Sequence, residues 1–207
     1  MSASTARLGA PAWFGPVDDP ENPATTILVA AAELFGETSP AQVSLRAIAA
    51  RAGVNYGLIH HYFGTKEAIL AELLRRASAN GAARMDHSRT VDDALEQLVI
   101  TETDTNYARM LAWAMLDDTD PQRLVSASPA IAHITGLVTQ QLADRGDTDL
   151  DPKIVAAVIV SAVLGWRLFR PFVMVAGELT DRDEREVTEL VATTLRAMVG
   201  ATVDGPA

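Results

Sequence analysis

The sequence predicts an all-α chain of about nine helices, and three observations predict it. Apolar residues recur at i, i+3, i+4 and i+7 along almost the whole chain. No segment alternates apolar and polar residues over the length of a strand, and no Asn-Gly or Asp-Gly pair sits between β-rich runs. Residues that cap helices stand where several of the apolar stripes begin.

Residues 1–20 hold no basic stretch followed by an apolar one, the pattern of a secretory signal. Pro11, Gly15, Pro16, Pro20, Asp18 and Asp19 punctuate them. They read as a disordered arm whose anchors are Trp13 and Phe14. The first helix follows Asn22-Pro23, with Ile27, Ala30, Ala31, Leu34 and Phe35 on one face. Ser44 caps a second helix carrying Leu45, Ile48, Ala49 and Ala52. Gly53 stands where a left-handed residue ends a helix without steric cost, and Asn55 caps a third helix with Ile59 and Phe63 turned inward. Thr65 opens a fourth, with Ile69, Leu70, Leu73, Leu74 and Ala77, and Gly81 weakens it near its end.

Further stripes run through Val91–Val99, Leu111–Met115 and Ile131–Leu142. Asp151-Pro152 is a cap followed by an N1 proline, opening a helix to about Val175 that Pro171 should kink or end. Val187–Val199 forms the last helix, stopped at Gly200. The mainly apolar run Ile154–Trp166 is too short to span a bilayer and reads as a buried helix. With no signal and no span, the chain is expected to be cytoplasmic, with no membrane partner.

The spacing of the helices predicts three parts: the arm 1–20, a domain 21–81 of short, tightly joined helices, and a domain 82–207 of longer ones. A chain of 207 residues is large enough for two cores. It has no cysteine, which excludes disulfides, thiol catalysis and Cys-ligated zinc. With 27 acidic and 17 basic residues the net charge is −10. Taken whole, that charge argues against nucleic acid, because phosphate binding needs a basic surface. The charge is uneven, however. Residues 1–43 carry −4, residues 44–76 carry +3, and residues 77–207 carry −9. The basic stretch holds Arg46, Arg51, Lys66, Arg75 and Arg76 against Glu67 and Glu72.

That basic stretch contains Ser44–Lys66, SLRAIAARAGVNYGLIHHYFGTK. Two short helices joined by a glycine turn fit a helix-turn-helix, and they fit an ordinary helical hairpin equally well. The outer positions of the second helix are Asn55, Tyr56, Leu58, His60 and His61. None is the Glu, Lys or Arg of a solvated face, and most can donate, accept or touch a base edge. Gly57 costs that helix about 1 kcal/mol relative to Ala. Close approach to a phosphate or to a neighbouring helix would account for it. Lys66 stands in the first turn of its helix, where the dipole disfavours a cation by about 0.3–1 kcal/mol. A phosphate beside that helix end would explain it; a solvated lysine is the alternative.

Across residues 21–81 the chain resembles the tetracycline-repressor (TetR) family of transcriptional regulators. The resemblance rests on ILVAAAELF, SLRAIAARAGV, NYGLIHHYF and GTKEAIL. It implies an all-α dimer that binds a near-palindromic double-stranded DNA operator, with a variable C-terminal domain for a small-molecule effector. It further implies that Ser44 and Arg46 approach phosphates and that Tyr56, Leu58, His60 and His61 lie on or beside the groove-facing side. Tyr62 and Lys66 would hold the backbone. The chain departs from the pattern at Thr25 and Thr26, where many members carry Arg or Lys, and at Ala47, commonly acidic. His60 and Tyr62 exchange the residue types usual at their positions.

The last two helices, about 152–175 and 183–199, are apolar over more than one stripe, which fits either a core or a subunit interface. The resemblance favours the interface of a homodimer. Met110, Trp113, Met115, His133, Trp166 and Phe169 are the candidates to line an effector pocket, and Arg109 and Arg167 the candidates to meet an anion. No HExxH, GxSxG, Walker A or Gly-rich dinucleotide pattern occurs, so no enzyme, cofactor or metal is expected. His60 and His61 point about 100° apart on a helix, which spoils them as a metal pair.

Overall fold

The computed structural model describes residues 10–16, 19–101, 105–124, 128–146 and 150–204. Among these are ten α-helices and no strand. They are α1 (Pro23–Glu37), α2 (Leu45–Ala52), α3 (Tyr56–Tyr62), α4 (Lys66–Arg84), α5 (Val91–Glu96), α6 (Asn106–Leu116), α7 (Pro121–Leu124), α8 (Pro129–Arg145), α9 (Pro152–Ala176) and α10 (Glu184–Asp204). The short α7 raises the count above the nine expected. Single 3₁₀ turns form at Ala12–Phe14 and Pro40–Gln42, and Gln97–Thr101 winds as a π-helical turn after α5.

Local chemistry accounts for most of the boundaries. Asn22, Ser44, Asn55, Ser128 and Asp151 accept backbone N–H bonds at the starts of α1, α2, α3, α8 and α9. The Thr65 hydroxyl accepts from Ala68 at the start of α4. Gly53 (φ 67°) ends α2: its N–H reaches the Ala50 carbonyl and that of Val54 reaches the Ala49 carbonyl, a Schellman arrangement.

Three helices run through residues that could have stopped or weakened them. α9 continues through Pro171 to Ala176, so the proline, which costs the helix one backbone bond, does not end it. α10 continues through Gly200 to Asp204, and α4 through Gly81 to Arg84; a glycine costs a helix about 1 kcal/mol and does not by itself stop it.

The chain divides into two compact units. The first comprises Met1–Asn80 with Asn106–Ala127, the second Gly81–Thr105 with Ser128–Ala207. The expected division, with everything after residue 81 in one domain, is therefore corrected. Met110 and Ala114 of α6 and Leu124 of α7 are buried with Ile27 and Phe35 of α1, Ile48 of α2, Ile59 of α3 and Leu73 of α4. Gly36 lets α1 and α6 approach closely, since a Cβ there would meet the Asn106 side chain at 3.2 Å.

The reading of residues 1–20 as a disordered arm is corrected for residues 10–16. Trp13 and Phe14 are 1% and 2% exposed in the first core. The Asn80 side chain donates to the Trp13 carbonyl, and the Arg76 guanidinium lies 5.1 Å from the Phe14 ring centre. Residues 1–9 and 17–18 lie outside the described residues.

In the second unit α8 lies along α9, and α5, the π-helical turn and α10 pack around them. Val91 and Leu95, Ile134 and Val138, Ile159 and Val163, and Ala192 are buried together. α9 is long and apolar enough to cross a membrane by length and composition, yet it is not the buried helix expected. Val155, Ala156, Ile159 and Val163 are buried on one side; Ile154, Val158, Phe169, Phe172 and Val175 are more than half exposed on the other.

Candidate nucleic-acid interface

The candidate site is the outer face of α2 and α3. The α2–α3 turn is closed by the Gly53 cap at one end and by Asn55 at the other, whose Oδ1 accepts from the Gly57 N–H at 2.8 Å. Ile59 is fully buried and Leu58 and Phe63 are half-buried against the same core, which fixes the rotation of α3 about its axis. Tyr56, Gly57, His60, His61 and Tyr62 are then left exposed. Leu58, expected on the outer face, serves the core in part.

The exposed side chains order one another. Tyr56 and His60, one helical turn apart, meet edge-to-face with ring centres 4.9 Å apart. His61 and Tyr62 do the same at 5.0 Å. The Arg46 guanidinium reaches across from α2 to lie 5.8 Å from the Tyr56 ring centre. His60 Nδ1 lies 3.0 Å from the Gly64 carbonyl oxygen, brought there by the left-handed backbone of Gly64 (φ 74°) that ends α3. Ser44, whose hydroxyl accepts from the Ala47 N–H at 3.1 Å, stands at the N-terminus of α2 on the exposed side.

Two sequence arguments change here. Lys66 spends its ammonium inside the chain: Nζ donates to the Ala41 and Val43 carbonyls at 3.0 and 3.1 Å. These acceptors outweigh the unfavourable helix dipole, so a phosphate is not needed to explain the residue. For Gly57, no neighbouring helix lies within 4 Å of where a Cβ would sit; its only close neighbour would be Asn55 Oδ1, at 3.3 Å. Of the two explanations for the glycine, approach of another helix within the chain drops out.

The basic character of residues 44–76 is also smaller than the count of charges implies. Arg51 pairs with Glu33 and Glu37 at 3.0 and 3.4 Å, and Arg75 and Arg76 both pair with Glu72. The Glu72 carboxyl is held below the usual range, first by the Arg75 hydrogen bond and, against the opposing effect of burial, by that of Arg76. Arg46 makes no ion pair among the described residues. The charge count of the stretch cannot reveal the Arg51 pairs, because Glu33 and Glu37 come from α1.

A family model of bacterial regulatory proteins, tetR family, matches residues 27–73, from the core of α1 to the middle of α4. The HTH-type transcriptional repressor Rv3405c of Mycobacterium tuberculosis is 32% identical over 183 residues, 88% of this chain and 88% of that protein. The HTH-type transcriptional regulator Mb3439c of Mycobacterium bovis matches to the same extent. The chain belongs to the tetR family. Like its family, it is a DNA-binding transcriptional regulator, and α2–turn–α3 is its helix-turn-helix. Among solved structures, GusR of Salmonella enterica superposes with a TM-score of 0.67 at 19% identity, covering 92% of this chain and all of that one. FadR of Bacillus subtilis, in complex with stearoyl-CoA, superposes with a TM-score of 0.63 at 20% identity, covering 82% and 96%. At these identities the likeness is one of fold.

The effector-pocket candidates of this tetR-family chain fall in two sets. Met110, Trp113 and Met115 lie on α6 in the first unit, where Met110 is a core residue, Trp113 is half-buried and Met115 is exposed. His133 on α8 and Trp166 and Phe169 on α9 belong to the second unit. Among the described residues His133 Nε2 and Trp166 Nε1 are buried without a hydrogen-bond partner, as is Gln141 Oε1 of α8, which sequence reasoning missed. Phe169 is 55% exposed. Of the two arginines, Arg109 donates to Asn106 Oδ1, and Arg167 is buried and donates to the Leu98 carbonyl of the π-helical turn.

Proposed function

We propose that this regulator is a ligand-responsive repressor that binds a near-palindromic operator as a two-fold homodimer, with α3 of each copy in the major groove. The observation that carries this reading is the outer face of α3. It presents Tyr56, Gly57, His60 and His61 with no acid among them, and Arg46 alongside has its charge unspent. Such groups offer hydrogen bonds and apolar contact to base edges. Ser44 and Tyr62 flank that face and, with the remaining N–H of Lys66, would meet the phosphates. Two copies of α3 would sit about 34–36 Å apart, or a multiple of that, to meet one side of the duplex.

The second copy is drawn by α9 and α10. Ile154, Val158, Phe169 and Phe172 of α9 and Leu190 and Met198 of α10 are large, apolar and exposed, more than a solvated face carries. A self-complementary contact buries them on both copies at once. The effector binds the second unit among His133, Gln141 and Trp166, whose buried polar atoms a ligand could satisfy. A regulator of the same fold holds stearoyl-CoA, which is in keeping with a large amphipathic effector. Switching from mostly bound to mostly released needs differential effector affinity of several kcal/mol between two dimer geometries. The protein acts in the cytoplasm, where its operator is.

The test is binding to the DNA around its own gene, followed by fluorescence anisotropy. Binding is expected at low salt and should fall by about five- to thirtyfold in Tyr56→Ala and His61→Ala, the cost of about 1–2 kcal/mol for a lost base contact. No binding at low salt defeats the repressor reading for that DNA. Binding indifferent to both substitutions defeats the site.

A further inference from the structure

The geometry around His60 points to a fixed hydrogen-bond sense at the DNA: we infer that His60 is a specificity-determining residue that accepts, through Nε2, a hydrogen bond from an exocyclic base amine, adenine N6 or cytosine N4. The inference rests on the reading of α3 as the recognition helix and names the base chemistry that one of its residues selects.

A neutral imidazole carries one N–H and one lone pair, and either nitrogen can hold the proton. In most exposed histidines the two forms exchange freely. Here Nδ1 lies 3.0 Å from the Gly64 carbonyl oxygen. A carbonyl oxygen only accepts, so Nδ1 must carry the hydrogen. In the neutral ring Nε2 is then left with its lone pair, and it makes no hydrogen bond among the described residues. The Tyr56 ring, edge-to-face at 4.9 Å and 85°, restrains the plane of the imidazole. Both the tautomer and the ring orientation are therefore set before DNA arrives.

Gly64 adopts φ 74°, and its N–H closes the end of α3 on the Ile59 carbonyl at 3.1 Å. The same left-handed turn brings its carbonyl back to the His60 ring. His60 itself is exposed and contributes nothing to the core.

In the major groove, adenine offers a donor at N6 and cytosine one at N4, while guanine offers only acceptors and thymine an acceptor and a methyl group. A fixed acceptor pairs with the first two and meets an unfavourable lone-pair contact at guanine. It also disfavours a phosphate oxygen as the partner, because two acceptors would face each other.

The test uses the full-length protein and the tightest duplex it selects from a random-sequence library. Each adenine is replaced in turn by purine, which lacks the N6 amine, and each cytosine by 2-pyrimidinone, which lacks the N4 amine. At one position per half-site the replacement should weaken wild-type binding by about tenfold, the worth of roughly one hydrogen bond per half-site. The same replacement should leave His60→Ala binding unchanged. Coupling of His60→Ala to 7-deazaguanine instead would mean that the ring donates, and overturns the inference. So does a uniform loss across sequences with a shallower salt dependence, which marks a phosphate contact. If His60→Ala binds as wild type while Tyr56→Ala and His61→Ala bind weakly, this inference fails and the recognition-helix reading stands. If all three bind as wild type, the recognition-helix reading itself fails. Thermal unfolding of each variant should match wild type, since the substituted side chains are exposed.

Discussion

α3 and α9 are both half-buried helices, and they expose opposite chemistries. α3 has seven residues, one fully buried side chain in Ile59, and an outer face of tyrosine, histidine and glycine. α9 has 25 residues, a buried face from Val155 to Arg167, and an outer face of isoleucine, valine and phenylalanine. The difference reflects what each must meet. A short helix with polar, mutually stacked side chains loses little when water is its partner and can exchange that water for base edges. A long helix with an apolar outer face is costly to leave in water, at roughly 25 cal/mol per Å², so it calls for a permanent cover. On the function proposed above, one helix suits a partner that comes and goes, the other one that stays.

The sharpest way to break this contrast is to charge the outer face of α9. Phe172→Glu, counted twice across a two-fold contact, should weaken association by about 4 kcal/mol, close to a thousandfold. Sedimentation should then show monomers at micromolar concentration, with operator binding lost as well. A dimer that survives means that some other surface covers the copies. Next in size is the inner face of α3. Ile59→Ala removes a side chain with no exposed area and should cost about 2–5 kcal/mol in urea unfolding. A cost below 1 kcal/mol would mean that the α2–α3 pair does not depend on this core.

Smaller again is Arg46→Ala. Its cation is the one in the basic stretch that neither an acid nor a backbone carbonyl engages among the described residues. Its loss should lower the slope of log affinity against log salt by about one and weaken all sequences alike. Arg51→Ala, already paired in the free protein, should change that slope much less. The smallest effect concerns Glu72. Its folded pKa lies below the ordinary carboxylate value of 4.5. The stability it contributes is thus complete above that value and is lost as pH falls through the folded pKa. Unfolding of Glu72→Gln should therefore lose less stability than wild type on going below about pH 4.5. Identical acid limbs in the two proteins would show that the Arg75 and Arg76 pairs contribute nothing measurable.

Much of the first unit is legible in the chain because its signals are local. The Ser44 and Asn55 caps and the Gly53 turn each act within a few residues of themselves, and the sequence states them directly. The partners of the charged residues are not legible in this way. Lys66 bonds to carbonyls 25 and 23 residues away, and Arg51 to Glu33 and Glu37 on another helix. In space the basic stretch that distinguishes residues 44–76 therefore loses Arg51 to acids outside it and turns Lys66 partly inward, while Arg75 and Arg76 share the one charge of Glu72.

By itself, the sequence determined the helical class, the cap-and-turn chemistry of the helix-turn-helix and, Leu58 apart, the residues exposed on α3, because helix period and capping are short-range rules. Only the tertiary structure decided that Trp13 and Phe14 belong to the first core and that α6 and α7 join it rather than the second. It alone showed that one side of α9 stays uncovered among the described residues, and that the Gly64 carbonyl lies against His60 Nδ1. Each of these depends on which distant surfaces meet. Burial and hydrogen-bond partnership are properties of the packed chain, and an apolar stripe reads the same in sequence whether its cover is its own core or a second copy.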